Sequence, residues 1–150
     1  MTKLTTQVTI PFLTIMSGMV TMILMDAVWL GLLMLDHFRA NIGHLMRPEG
    51  QLPDGAYAIG AVIYLAMSGG IYAFVIRESR LDTPMWCSLL RGIGFGLVVF
   101  IVYEGTNYLF LRGWTLQVVA IDLFWGFCLF AGTTLTMRLC HRICLKKQSS

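Results

Sequence analysis

The chain has 150 residues, of which 57% are hydrophobic and only 13% charged, and its mean hydropathy is +0.72. Soluble domains carry about 25% charged residues, so such a composition has too little polar surface to cover itself in water. A net charge of only +3 gives no basic face for nucleic acid, and the length suits one domain over residues 1–150, embedded in a membrane.

Residues 1–8 are polar and include Lys3. From about 9 to 35 the chain is apolar. That is too long for the core of a secretion signal, and no Ala-x-Ala-like site follows it. Roughly 20 residues cross the hydrocarbon layer, so a first transmembrane helix here is tilted or projects beyond it. Asp36 to Ala56 is a polar connection punctuated by Pro48, Gly50, Pro53 and Gly55. Within it, Phe38, Ile42, Leu45 and Met46 recur at helical spacing, which predicts a short amphipathic helix on the membrane surface, ended by Arg47-Pro48-Glu49-Gly50. A second span is predicted over about 57–76, a charged loop over 77–82, a third span over about 86–111 and a fourth over about 115–139. Arg112-Gly113-Trp114 is too short a link for anything but antiparallel neighbours. The expected fold is therefore all-α: a bundle of four transmembrane helices with an interfacial helix in the first external loop.

Orientation follows from the lysines and arginines. Lys3, Arg77, Arg80, Arg91, Arg138, Arg142, Lys146 and Lys147 fall on one side, whereas Arg39, Arg47 and Arg112 fall on the other. Both termini are expected in the cytoplasm. The basic tail then faces anionic lipid.

Each of three spans carries an acid where hydrocarbon is the expected neighbour: Asp26, Glu104 and Asp122. An ionisable group in a span is a functional hypothesis by default. Measured from the external ends of their helices, the three lie seven to nine residues deep, or roughly 10–14 Å at 1.5 Å per residue. They should meet at one level. Helical spacing adds neighbours: Asn107 follows Tyr103 by four and Glu104 by three, Trp29 follows Asp26 by three, and Trp125 follows Asp122 by three. Tyr64 in the second span reaches a similar depth, on a face with Tyr57, Gly60, Ala61 and Ser68, and Arg112 sits just above. Gly92, Gly94 and Gly96, with Gly126 and Gly132, cluster at or below the acids. Small residues let helices approach closely, so the bundle should close on the cytoplasmic side and splay outward around an acid-lined pocket. Three carboxyls in one dry pocket cannot all be ionised without counter-charges.

This constellation is open to several readings. In one, the acids and Asn107 are interhelical glue in an accessory or structural subunit. In a second, the pocket binds or helps modify a lipid-like or cationic small molecule: Glu104, Asp122 or Asp26 is the acid/base, Tyr64, Tyr103, Asn107, Trp29 and Trp125 shape the substrate site, and Arg112 holds an anionic head group. In a third, the chain is a proton- or cation-coupled transporter working as an oligomer. Trp114 reads as part of an interfacial aromatic belt. His37 and His44, seven apart, could with Asp36 hold a metal, but their spacing matches no ligand motif and they read as solvated loop histidines. Cys87, Cys128, Cys140 and Cys144 form no Cys-x-x-Cys pair. No metal centre or cofactor is expected. Membrane lipids are the expected surroundings, with a homo-oligomer as a further partner.

Asp-x-x-Trp-Leu-Gly at 26–31, Tyr-x-x-Thr-Asn at 103–107, Leu-Arg-Gly-Trp at 111–114 and Asp-x-x-Trp-Gly at 122–126 together resemble a bacterial membrane family, domain of unknown function 2177. The likeness runs over nearly the whole chain. It implies a four-helix inner-membrane protein without an established activity, and the association of some members with fatty-acid-modification genes implies a lipid-related role. The family pattern usually has Asp where this chain has Glu104.

Overall fold

The structure is a computed structural model, which describes residues 3–48 and 50–149. Its elements are α1 (Lys3–Val28), continued by a π-helical turn over Trp29–Leu33; α2 (Leu35–Ile42), ending in a 3₁₀ turn over Gly43–Leu45; α3 (Ala56–Ile71), continued by a π-helical turn over Tyr72–Ile76; α4 (Met85–Phe110); and α5 (Leu116–Ser149). Four stretches are long and apolar enough to cross a membrane: Val8–Leu33, Ala56–Ile76, Met85–Phe110 and Leu116–Gln148. In a medium without water every backbone polar group must be satisfied within the segment, which is why helices result. Side-chain hydroxyls obey the same constraint. Thr14 donates to the Ile10 carbonyl at 2.8 Å, Thr21 to Ser17 at 2.8 Å and Thr106 to Val102 at 2.6 Å, each one turn back.

The four long apolar helices overlap the four expected spans, and α1 begins at Lys3, six residues before the expected start at 9. α5 runs ten residues beyond the expected limit of 139. No proline or glycine interrupts Leu139–Ser149, and Lys146 and Lys147 in the last turn complement the negative end of the helix dipole.

α5 is the spine, packed along α4 on one flank and α1 on the other, with α3 closing against α1. Glycine sets the α4–α5 approach. A side chain at Gly92 would overlap Thr134, one at Gly96 would overlap Phe130, and one at Gly126 would overlap the Phe100 ring. Gly94, between the first two, faces open space. The Gly-x-x-x-Gly pair 92 and 96 is thus the contact face. Met22, Ile71, Val75, Ile76, Leu129, Phe130 and Met137 fill the half of the bundle nearer the termini.

At the other end the helices are spanned by α2. The predicted amphipathic helix is present, and it buries Phe38 and Ile42 against Val118, with Met34 and Trp114 beside them. Leu45 and Met46 remain about two-fifths exposed, past the end of the regular helix. Gly113, at φ +89°, makes the tight turn between α4 and α5, where a Cβ would also strike the His44 ring.

Candidate functional site

The three membrane acids come together, but in unequal surroundings. Asp26, one turn above Met22, is held by two donors from two other helices. The Tyr64 hydroxyl donates to its Oδ2 at 2.9 Å and the Trp125 indole Nε1 donates to its Oδ1 at 2.7 Å. Trp125 also stacks on Trp29, with ring centroids 4.5 Å apart and planes within 2°. Asp26 therefore ties α1, α3 and α5 together at the floor of the splayed end. The π-helical turn that begins at Trp29 starts one turn beyond it, and π segments are frequent beside functional sites.

Glu104 is completely buried. Its Oε2 accepts from the Trp114 indole Nε1 at 2.8 Å, whereas its Oε1 has no donor. The Asp122 carboxyl lies beside it, with Asp26 within electrostatic reach. Two carboxyls this close form a hydrogen bond only if a proton is shared between them. Without that proton Glu104 Oε1 stays unsatisfied. Asp122 faces Glu104 on one side and lines an open cleft on the other.

That outside access is a cleft of about 270 Å³, lined by Leu30, Leu35, Phe38, Ile42, Met46, Tyr103, Trp114 and Asp122. The apolar lining comes from the π-helical turn that continues α1, from α2 and from the loop that follows. The polar lining comes from α4, the turn and α5. Tyr103 is edge-on to Trp114 at 6.4 Å and is more than half exposed. Asn107 lies beside the Tyr103 hydroxyl, and its buried Nδ2 has no hydrogen-bond partner. One unpaired acceptor and one unpaired donor therefore sit a helical turn apart on α4, behind the cleft. A second cleft, of about 400 Å³, runs along the next stripe of α2. It is lined by Leu35, Arg39, Gly43, Met46, Arg47 and Pro48, and shares Leu35 and Met46 with the first.

Several sequence expectations are redirected by this geometry. Trp114 is not a belt residue pointing to the interface, because its indole turns inward to meet a buried carboxylate that needs a donor. Arg112 stands exposed in the turn, with its carbonyl 3.5 Å from His44 Nε2, and no ion pair joins it to the acids among the described residues. Arg39 and Arg47 line the second cleft. Tyr57 is exposed and takes no part, while Tyr64 on the same helix does. His37 is engaged by Asn41, and His44 sits over Gly113. Among the described residues no three metal-ligating side chains converge.

One polar cluster escaped the sequence reading. Arg138, counted there only as a basic flank, is wholly buried and its Nη2 donates to the carbonyls of Arg80 and, at 3.2 Å, Thr83. Arg142 Nη2 donates to the Leu81 carbonyl at 2.8 Å. Together they clamp the α3–α4 loop onto α5. The only hint in the sequence is an arginine four residues after Thr134, still within an apolar run.

The fold and these buried polar groups define a polytopic α-helical membrane protein. Within that class the family model described as predicted membrane protein (DUF2177) matches residues 11–138, and the chain belongs to that family, whose function is unknown. No curated protein and no solved structure matches it.

Proposed function

We propose that the cleft beneath α2 is a ligand site that binds, or helps to modify, a lipid-like or cationic small molecule. The observation that carries this reading is Glu104. A carboxyl group with no exposure, one oxygen satisfied and one orphaned, backs onto a second acid that faces an open cleft. Burying a carboxyl without a partner costs free energy that a purely structural role has no reason to retain. A cationic ligand bearing N–H donors brings both a hydrogen bond and a counter-charge to the acid pair, and the apolar wall accepts a hydrocarbon segment. The acid pair is also suited to passing a proton to or from such a ligand. Asp26 is the counter-example: both its oxygens are taken by the protein, which favours the role of interhelical glue for that residue.

The one-sided shape favours binding over passage through the bundle. Below Asp26 the apolar core and the glycine-mediated helix contacts fill the bundle. Both termini belong in the bacterial cytoplasm on the lysine and arginine distribution, so the cleft opens to the outer side of the inner membrane. A reporter that is active only in the cytoplasm, fused at the C-terminus, should be on; a silent fusion inverts the orientation.

The ligand reading is tested with the protein in nanodiscs, titrated with dodecylamine and with dodecanol while Trp fluorescence is followed. Trp114 lines the cleft and reports on its occupancy. The amine should give a saturable change that the alcohol does not, and Glu104→Gln with Asp122→Asn should abolish it. Equal responses to amine and alcohol, or an unchanged response in the double variant, would remove the basis for the proposal.

A further inference from the structure

The geometry points to a more specific ligand: a phospholipid whose head group carries both a phosphate and a primary amine. This rests on the ligand-site reading of the acid cleft and adds the second cleft to it.

The two clefts are neighbours of opposite character. Adjacent positions of α2 line each of them, and Leu35 and Met46 belong to both walls. On one side stand Asp122 and, behind it, the orphaned Oε1 of Glu104. On the other stand Arg39 and Arg47. Arg39 lies 4.0 Å from Asp36, which is fully exposed, so that contact is a weak surface one. Arginine is suited to phosphate, because its planar fork donates two parallel hydrogen bonds. α2 follows directly on the first span, so both clefts lie where head groups lie.

A head group with only an anion leaves the acid side unserved, and one with only a cation leaves the arginine side unserved. A zwitterionic head serves both. The acid side discriminates further. A primary ammonium has three N–H donors to offer the Asp122 carboxyl that lines the cleft, whereas a trimethylammonium has none. The expected order is therefore ethanolamine-type lipid over choline-type lipid, and both over glycerol-type lipid. Leu30 and Phe38 along the acid cleft would receive the start of an acyl chain.

Native mass spectrometry of the delipidated full chain, offered equal concentrations of phosphatidylethanolamine, phosphatidylcholine and phosphatidylglycerol, tests this. Dodecylamine is measured in parallel. Phosphatidylethanolamine should be retained about tenfold over the other two, the scale of one charge-assisted contact made or lost. Arg39→Gln with Arg47→Gln should reduce it to the phosphatidylcholine level, with the melting temperature and dodecylamine binding unchanged. Glu104→Gln should weaken phosphatidylethanolamine and dodecylamine alike. If dodecylamine binds but phosphatidylethanolamine shows no preference, or keeps it in the arginine double variant, the two-cleft inference fails and the acid site stands. If neither binds, the ligand-site reading falls with it.

Discussion

Replacing Trp114 by Phe removes one hydrogen bond and little volume, and its effect can be worked out from Glu104. In the wild type Oε2 accepts from the indole and Oε1 is bare. In Trp114→Phe both oxygens of a wholly buried carboxyl have lost protein donors. Stranding a buried acceptor costs about 1–3 kcal/mol. Interhelical hydrogen bonds in membranes average nearer 0.6 kcal/mol, because the unfolded chain in lipid also finds partners. Since Trp114 lies in the turn and Glu104 in α4, this bond also holds the turn onto the bundle, and a loss of about 1–2 kcal/mol is expected. The second half of the test is sharper. Glu104→Met in the Trp114→Phe background removes the stranded group altogether, and replacing both partners by apolar groups can be nearly neutral. The double variant should therefore be more stable than Trp114→Phe alone. The assay is reversible unfolding in mixed micelles, followed by circular dichroism. If Trp114→Phe costs nothing measurable, or if the two substitutions simply add, then Glu104 is not the strained group inferred here.

Three further predictions address the rest of the frame. Gly92→Ala and Gly96→Ala should each cost about 1–3 kcal/mol by overpacking against Thr134 and Phe130, whereas Gly94→Ala should be near neutral; the same unfolding assay separates them. Asp26→Ala strands the Tyr64 hydroxyl and the Trp125 indole at once and should cost about 2–4 kcal/mol with a shifted tryptophan emission, while Tyr64→Phe should cost about 1 kcal/mol. Arg138→Met frees the carbonyls of Arg80 and Thr83, so amide exchange across 77–84 should accelerate while exchange in α2 stays unchanged.

The helices were legible because their signal is composition over long windows, and a span of twenty apolar residues has one stable form in lipid. The common depth of Asp26, Glu104 and Asp122 was legible for the same reason: rise per residue is fixed once the ends are known. Side-chain direction was not. Trp114 lies beyond the end of α4, where no helical period fixes its face, so only the backbone turn at Gly113 decides that its indole points at Glu104 rather than at the interface. Arg138 was missed because a cation near a span's end is ordinarily a topology signal. Its burial depends on where the α3–α4 loop folds back, and that is a tertiary fact. Arg112 was favoured over Arg39 and Arg47 by proximity in sequence, yet α2 carries the latter pair to the cleft edge.

The unequal satisfaction of the three acids decides what each is for. Polar glue between helices is effective only when complete, because a half-satisfied network costs more than an apolar core of the same shape. Asp26 meets that standard: two donors, two oxygens, three helices joined. Glu104 and Asp122 do not, although Tyr103 and Asn107 stand on the same helix as Glu104, and Asn107 Nδ2 is itself without a partner. Glu104 Oε1 and Asn107 Nδ2, an acceptor and a donor one turn apart on α4, are both left open. Their remaining open beside a cleft is the arrangement expected of a site that completes its hydrogen bonds with a ligand. The Glu104→Met background separates the two demands: a stability gain accompanied by loss of amine binding identifies the acid as retained for binding, and a stability gain with binding intact assigns the binding to Asp122 alone.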